Sequence, residues 1–232
     1  MIYEFLQPWS TFVLKTKLSP PILEKMIRIT DEIVENREGK GDDIGAGQME
    51  DQFKIDFKIL EREEVMKFFL DVCKDYVIQA FCQSRPFDKE EIIKEEWMTR
   101  MSMMWINSQK DNEYLPIHHH TNCSLSTVMY LKIPEYLPNR NPTHNDDGAI
   151  TFINNVAKGN WGTSSITIQP DVGDFYVFSS SQPHFVYPFR TVDGKGERRS
   201  VSFNTEFSSK SEQDFIKKYQ KEKLLQLIKD DK

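Results

Sequence analysis

Five histidines occur in the chain, and three of them are consecutive: His118, His119 and His120. In an extended segment, residues two apart share a face, so His118 and His120 point together and His119 points away. Two imidazoles on one face are half of a metal site, because their neutral nitrogens suit first-row divalent ions. A further histidine, His184, lies in SQPHFVYP, where Pro183 and Pro188 restrict the backbone on both sides. Strand ends and loops gather at the open end of a β-sandwich, which is where His184 could meet the first pair. Two histidines and one more ligand around open positions is the arrangement in which non-haem Fe(II) activates O2. A third segment, RRSVSFN at 198–204, reads as a strand with Arg198, Ser200, Ser202 and Asn204 on one face. Arg199, Val201 and Phe203 take the other face, so both sides of this strand are covered. A buried arginine needs a carboxylate, either from the protein or from a ligand, and a hydroxyl two residues on at Ser200 suits Arg198 to a ligand's. Each feature alone also has a structural reading: a polar strand end, a satisfied loop histidine, an internal ion pair.

The elements that must position these residues change in kind near residue 100. Before it, helices dominate. Leu18-Ser19 ahead of Pro20-Pro21 is a helix start, and Ile22, Met26, Ile29 and Ile33 recur at helical spacing. A second helix is expected from Glu63 to Gln83, with Val65, Phe68, Phe69, Val72, Tyr76 and Ala80 as its apolar stripe. Between them EGKGDDIGAGQMED (38–51) reads as a loop. From Trp97 on, MTRMSMMWIN, LSTVMYLKI, GAITFIN, SSITIQP, GDFYVFSS, FVYPFR and RRSVSFNTEF are strand-sized runs separated by turn residues. This favours an antiparallel sandwich or barrel over βαβ units. YLPNRNPTHNDD is a long connecting loop. The tail from residue 209 reads as an amphipathic helix, with Ile216, Tyr219, Leu224 and Leu227 packing on the rest of the chain. The expected organisation is one domain over 1–232: a helical support region at 1–99, a β core at 100–208 and a C-terminal helix at 209–232.

Composition narrows the function classes. The 232 residues include 30 Lys and Arg against 36 Asp and Glu, a net charge of −6, which argues against a dedicated nucleic-acid binder. At this length roughly 70% of the unfolded surface is buried on folding, so no disulfide scaffold is needed. Cys73, Cys82 and Cys123 form no C-x-x-C pair. Glu4 interrupts the apolar stretch of any signal peptide, and no run is long and apolar enough for a membrane span. A cytoplasmic protein without a membrane partner is expected, and a homodimer is left open.

Taken in order, W-x-N, H-x-H-x-N, L-S-x-V-x-Y-L, G-D-x-x-x-F, P-H and R-x-S-x-S-F-N resemble the 2-oxoglutarate and Fe(II)-dependent dioxygenases. More narrowly, they resemble the prolyl-hydroxylase-like oxygenases of bacteria and their phages. The pieces are Trp105-Ile106-Asn107, His118 to Asn122, Leu125 to Leu131, Gly173-Asp174 to Phe178, Pro183-His184 and Arg198 to Asn204. The resemblance implies a double-stranded β-helix, a cupin-like jelly roll, with Fe(II) at its open end and 2-oxoglutarate and O2 as co-substrates. It implies His118, His120 and His184 as metal ligands. His120 stands where most of the superfamily has a carboxylate, which leaves Asn122, Asp146 and Asp147 as other groups to complete the site. Arg198, 14 residues after His184, would pair with the remote carboxylate of 2-oxoglutarate. Ser200 and Tyr130 would assist it, Asn107 would bind the other end, and Met129, Phe175 and Val177 would be core. The implied reaction is hydroxylation of a peptide or small molecule, a prolyl side chain being the first candidate, coupled to formation of succinate. No side chain need act as a general base, and segments 134–147 and 38–51 are candidate lids. Two other readings compete: a three-histidine cupin-type dioxygenase that does not use 2-oxoglutarate, and a cupin-like binding module without turnover.

Overall fold

A computed structural model describes residues 12–41, 49–138, 146–154 and 163–230, with side chains as far as residue 223. Among the described residues ten strands form two antiparallel sheets. The larger contains β1 (Leu14–Lys17), β2 (Gln52–Lys54), β3 (Trp97–Gln109), β5 (Leu125–Lys132), β8 (Asp174–Ser179) and β10 (Arg198–Ser209). Their spatial order is β1-β8-β5-β10-β3-β2. The smaller contains β4 (Leu115–His118), β6 (Ile150–Ile153), β7 (Ser165–Ile168) and β9 (His184–Val186), in the order β4-β9-β6-β7. The fold class is therefore the one expected: mainly β, with flanking helices.

Side-chain parity separates two cores. From the large sheet Met104, Ile106, Leu125, Met129, Phe175, Val177, Val201 and Phe203 point to the helical side. There they meet α1 (Pro20–Asn36) and α3 (Met66–Ser84) through Met26, Ile29, Phe69, Cys73 and Val77. Phe69 lies 5.7 Å from Phe175 and 5.4 Å from Phe203, ring centre to ring centre. The alternate residues Val128, Tyr130, Tyr176 and Phe178 pack instead on Ile150, Phe152 and Val186 of the small sheet. Thus β10 and β5, central in the large sheet, are covered on both faces, as the mixed pattern of RRSVSFN requires.

Both predicted helices form. α1 opens with its prolines in the first turn, where no intrahelical N–H is needed, and ends at Arg37, whose φ of 55° turns the chain out. Between them α2 (Phe57–Arg62) starts at Asp56, whose carboxylate accepts the Lys58 N–H at 2.9 Å. A 3-10 turn, Pro86–Asp88, and α4 (Lys89–Lys94) lead into β3. The last helix, α5 (Lys210–Asp230), forms as expected but does not lie on the sheets as expected. Phe215, Ile216 and Tyr219 are all exposed, because Lys217, Lys218, Gln220 and Lys221 interrupt the apolar spacing. The side chains of Leu224 and Leu227, residues 139–145 of one candidate lid and residues 42–48 of the other lie outside the described residues. No described helix is long and apolar enough to cross a membrane.

Candidate active site

Hydrogen-bond register brings the histidines together. β4 ends on His118 and β9 begins on His184, and these two residues pair directly across the small sheet. His120 follows two residues after β4, its backbone N–H donating to the Ser180 carbonyl at 2.9 Å. The ring centres lie 4.3 Å apart for His118 and His184, and 5.3 Å apart for each pair involving His120. One ligand nitrogen from each of the three falls within 4.8 Å of the others. The Nδ1 of His118 sits 2.8 Å from the Pro116 carbonyl and that of His184 2.9 Å from the Gln182 carbonyl. A carbonyl can only accept, so both rings carry their proton on Nδ1 and present a free Nε2. Burial lowers the pKa of His184 to about 3 and that of His120 to about 4, with neighbouring imidazoles adding to the effect, and lowers that of His118 too. All three rings are therefore neutral at pH 7 and fit to ligate a divalent metal. His119 is exposed and stands apart from the cluster.

Among the described residues no carboxylate joins this cluster. Asn122 is exposed in a left-handed turn at φ 58°. Asp147 is placed instead beside Tyr136, whose phenol its charge acts upon.

A cavity of about 250 Å³ reaches from the histidines to Arg198. Arg198 is 1% exposed. It pairs in register with Gln109, whose side-chain oxygen accepts its Nη1–H at 3.1 Å. Among the described residues its Nε and Nη2 have no hydrogen-bond partner. The guanidinium stacks 4.6 Å from the centre of the Tyr130 ring, and the Tyr130 hydroxyl is also buried and unpaired. Burial pushes the Tyr130 pKa up to about 12, against a smaller opposing pull from Arg198, so the phenol keeps its proton and can donate. Ser200 faces the same cavity between Tyr130 on β5 and Asn107 on β3. Asn107 accepts a hydrogen bond from Gln52 at 2.7 Å and also lines the cavity. Of the residues named from sequence, the structure therefore brings His118, His120, His184, Arg198, Ser200, Tyr130 and Asn107 to one cavity.

Arg199, one residue on, provides the contrast. It bonds Asp31 at 2.6 Å and Glu197 at 2.7 and 2.8 Å. Among the described residues Arg198 has no such carboxylate, and none of those lining the cavity is acidic. A buried guanidinium with two free donors, next to a free phenol, fits the carboxylate of a bound ligand. Sequence reasoning passed over Gln109, which could have been found as the strand partner of Arg198 once β3 and β10 were paired.

A family described as "Putative 2OG-Fe(II) oxygenase", where 2OG is 2-oxoglutarate, matches residues 103–204. Among solved structures, a Pseudomonas putida prolyl-4-hydroxylase is 15% identical with a TM-score of 0.51, over 84% of this chain and 92% of that one. A Trichoplax adhaerens prolyl hydroxylase, solved with a hypoxia inducible factor peptide fragment, is 14% identical with a TM-score of 0.51, over 84% and 83%. The chain spans 55% of the length of a Burkholderia pseudomallei oxidoreductase of the 2OG-Fe(II) oxygenase family, at 14% identity and a TM-score of 0.37 over 57% of this chain. No curated protein matches the sequence. The recognition made from the motifs therefore holds: the segment that carries the site, residues 103–204, matches the 2OG-Fe(II) oxygenase family, and it folds as the double-stranded β-helix of the prolyl hydroxylases.

Proposed function

We propose that this protein is an Fe(II)- and 2-oxoglutarate-dependent oxygenase that hydroxylates a peptide side chain or a small molecule in the cytoplasm. The observation that carries this reading is the difference between the two adjacent arginines. Arg199 has its carboxylates from the protein, whereas Arg198, more deeply buried, has none among the described residues, and its Nε and Nη2 have no hydrogen-bond partner there. His118, His120 and His184 would hold Fe(II) through neutral nitrogens. Arg198, with Tyr130 and Ser200, would hold the remote carboxylate of 2-oxoglutarate, and Asn107 would bound its other end. When bound, iron and 2-oxoglutarate supply the oxidising chemistry, in which O2 is consumed, the 2-oxo acid becomes succinate and CO2, and one oxygen atom enters a C–H bond. The chain's own residues bind, orient and keep water out, and none has to move a proton. A three-histidine dioxygenase that dispenses with 2-oxoglutarate would account for the ligands but would leave Arg198 without a counterion. A prolyl side chain is the first substrate to test, since both structural relatives of TM-score 0.51 are named as prolyl hydroxylases.

The test is anaerobic titration with Fe(II) and 2-oxoglutarate, followed by succinate measurement in air with proline-containing peptides and small molecules. Arg198→Ala is expected to abolish 2-oxoglutarate-dependent succinate formation. Unchanged decarboxylation in that variant would sink the proposal.

A further inference from the structure

Alternate residues of β10 form the floor of the cavity together with their strand partners. Ser200 pairs with Tyr130, Ser202 with Trp105 and Asn204 with Ser126, which makes three successive rows, each roughly 7 Å from the next. The Arg198 guanidinium stands at the first row, 4.6 Å from the centre of the Tyr130 ring. His120 stands at the second, its ring centre 5.9 Å from that of Trp105. A five-carbon diacid is roughly 6 Å long, so a co-substrate anchored on Arg198 extends only to the second row. The third row lies beyond it and still borders the histidines. Phe178, which pairs with Ser126 and so continues that row, packs 4.8 Å from His184, ring centre to ring centre.

Asn204 in this third row is 8% exposed and lines the cavity. Its amide oxygen is buried with no hydrogen-bond partner among the described residues, and so is the hydroxyl of Ser126. A buried polar group left unmet in a folded protein calls for a partner. No Asp, Glu or Lys is among the described residues lining the cavity, and its arginine stands at the other end. An ion at the third row would therefore be buried without a counterion, so the partner is neutral. Asn204 and Ser126 are direct cross-strand neighbours, and a purely structural pairing of the two is the competing account.

We propose that Asn204 binds the substrate through a neutral amide group next to the carbon that is hydroxylated. A carboxamide side chain carries one acceptor oxygen and two N–H donors, and a second amide, whether a peptide group or a free carboxamide, answers both kinds. The inference rests on the function proposed above and narrows its substrate to molecules with such a group.

The experiment uses three probes: N-methylacetamide, a bare peptide group; acetamide, a bare carboxamide; and methyl acetate, which keeps the shape of the first without its N–H. Each is titrated anaerobically into protein loaded with Fe(II) and 2-oxoglutarate, and relaxation of its methyl protons by the iron is read by NMR. At least one amide is expected to bind about tenfold more tightly than the ester, the difference one hydrogen bond makes. Which amide binds better separates a peptide from a carboxamide substrate. Asn204→Leu should bring the amides down to the ester, while 2-oxoglutarate affinity, followed by visible charge-transfer absorption, stays unchanged. Its Tm should not fall, since the change removes a buried polar group that has no partner. Equal affinity for amides and ester in the wild type, a comparison that needs no variant, would overturn the inference. So would an amide preference that survives in Asn204→Leu. A Tm lowered alike by Asn204→Leu and Ser126→Ala would assign the two side chains to each other and overturn it too. Protein that takes up Fe(II) but not 2-oxoglutarate would bring down the proposed function and this inference with it, whereas a missing amide preference in protein that binds both brings down this inference alone.

Discussion

Successive residues of a strand face opposite ways, so the sequence His118-His119-His120 delivers two rings to the histidine cluster and leaves the third exposed at the cavity rim, even though β4 itself stops at His118. The consequence is measurable. Replacing His118 or His184 with alanine should weaken binding of a divalent ion such as Ni(II) by more than about tenfold, since the loss of even an outer partner of a ligand costs that much. His119→Ala should bind the ion like the wild type in the same calorimetric titration. Equal losses in all three variants would mean that parity does not decide which rings ligate. The same parity made Arg198 and Ser200 legible in the sequence as one face of RRSVSFN. Gln109 was not legible as their companion, because its place beside Arg198 is set by the register between β3 and β10, strands distant in sequence and without a pattern to tie them together.

At the scale of elements, α1 is fastened to the large sheet by charge as well as by its apolar stripe. Asp31 on α1 bonds Arg199 of β10 at 2.6 Å and Lys132 of β5, while Glu197 bonds Arg199 and, at 2.6 Å, the Ser108 hydroxyl. Burial alone would raise the pKa of Asp31 and of Glu197. The bonds from Lys132 and Arg199 to Asp31, and from Ser108 and Arg199 to Glu197, outweigh it and hold both below their ordinary values of 3.8 and 4.5. A carboxylate whose folded pKa is depressed contributes stability that is complete above its unfolded value and is lost as pH falls through its folded one. Asp31→Asn should therefore lower the urea midpoint at pH 7 by about 1 kcal/mol of stability and make unfolding less pH-dependent below the ordinary 3.8 of an aspartate. A midpoint and acid limb identical to wild type would show that the pairing holds nothing. Long elements such as α1, α3, β3 and β10 could be read from apolar spacing and β-branched runs. The four residues of β1, three of β2 and four of β4 could not, because they are too short to show an alternation, and Pro116 in β4 reads as a break.

For the whole molecule, the large sheet has one face packed on the helices and one face turned to the cavity. Its helical side is a continuous apolar core. Its other side meets a smaller core that surrounds a polar cavity without an acidic residue among those described. A chain of net charge −6 thus buries a cation that has no carboxylate among the described residues, which is costly to stability unless a ligand supplies the anion. Arg198→Met removes that charge at similar length. Without ligand, its Tm should equal or exceed that of the wild type, since replacing buried charge with packed apolar groups is often neutral or stabilising. With ligand the order should reverse. At 2-oxoglutarate one hundred times its Kd, binding adds about 2.7 kcal/mol to the wild type, a rise of about 5–10 °C in a domain of this size, whereas the variant should gain almost nothing. Thermal melts of both proteins with and without Fe(II) and 2-oxoglutarate read this directly. A variant less stable than wild type when free would mean that Arg198 already has its counterion from the chain, and the cavity would then be a structural feature of the fold.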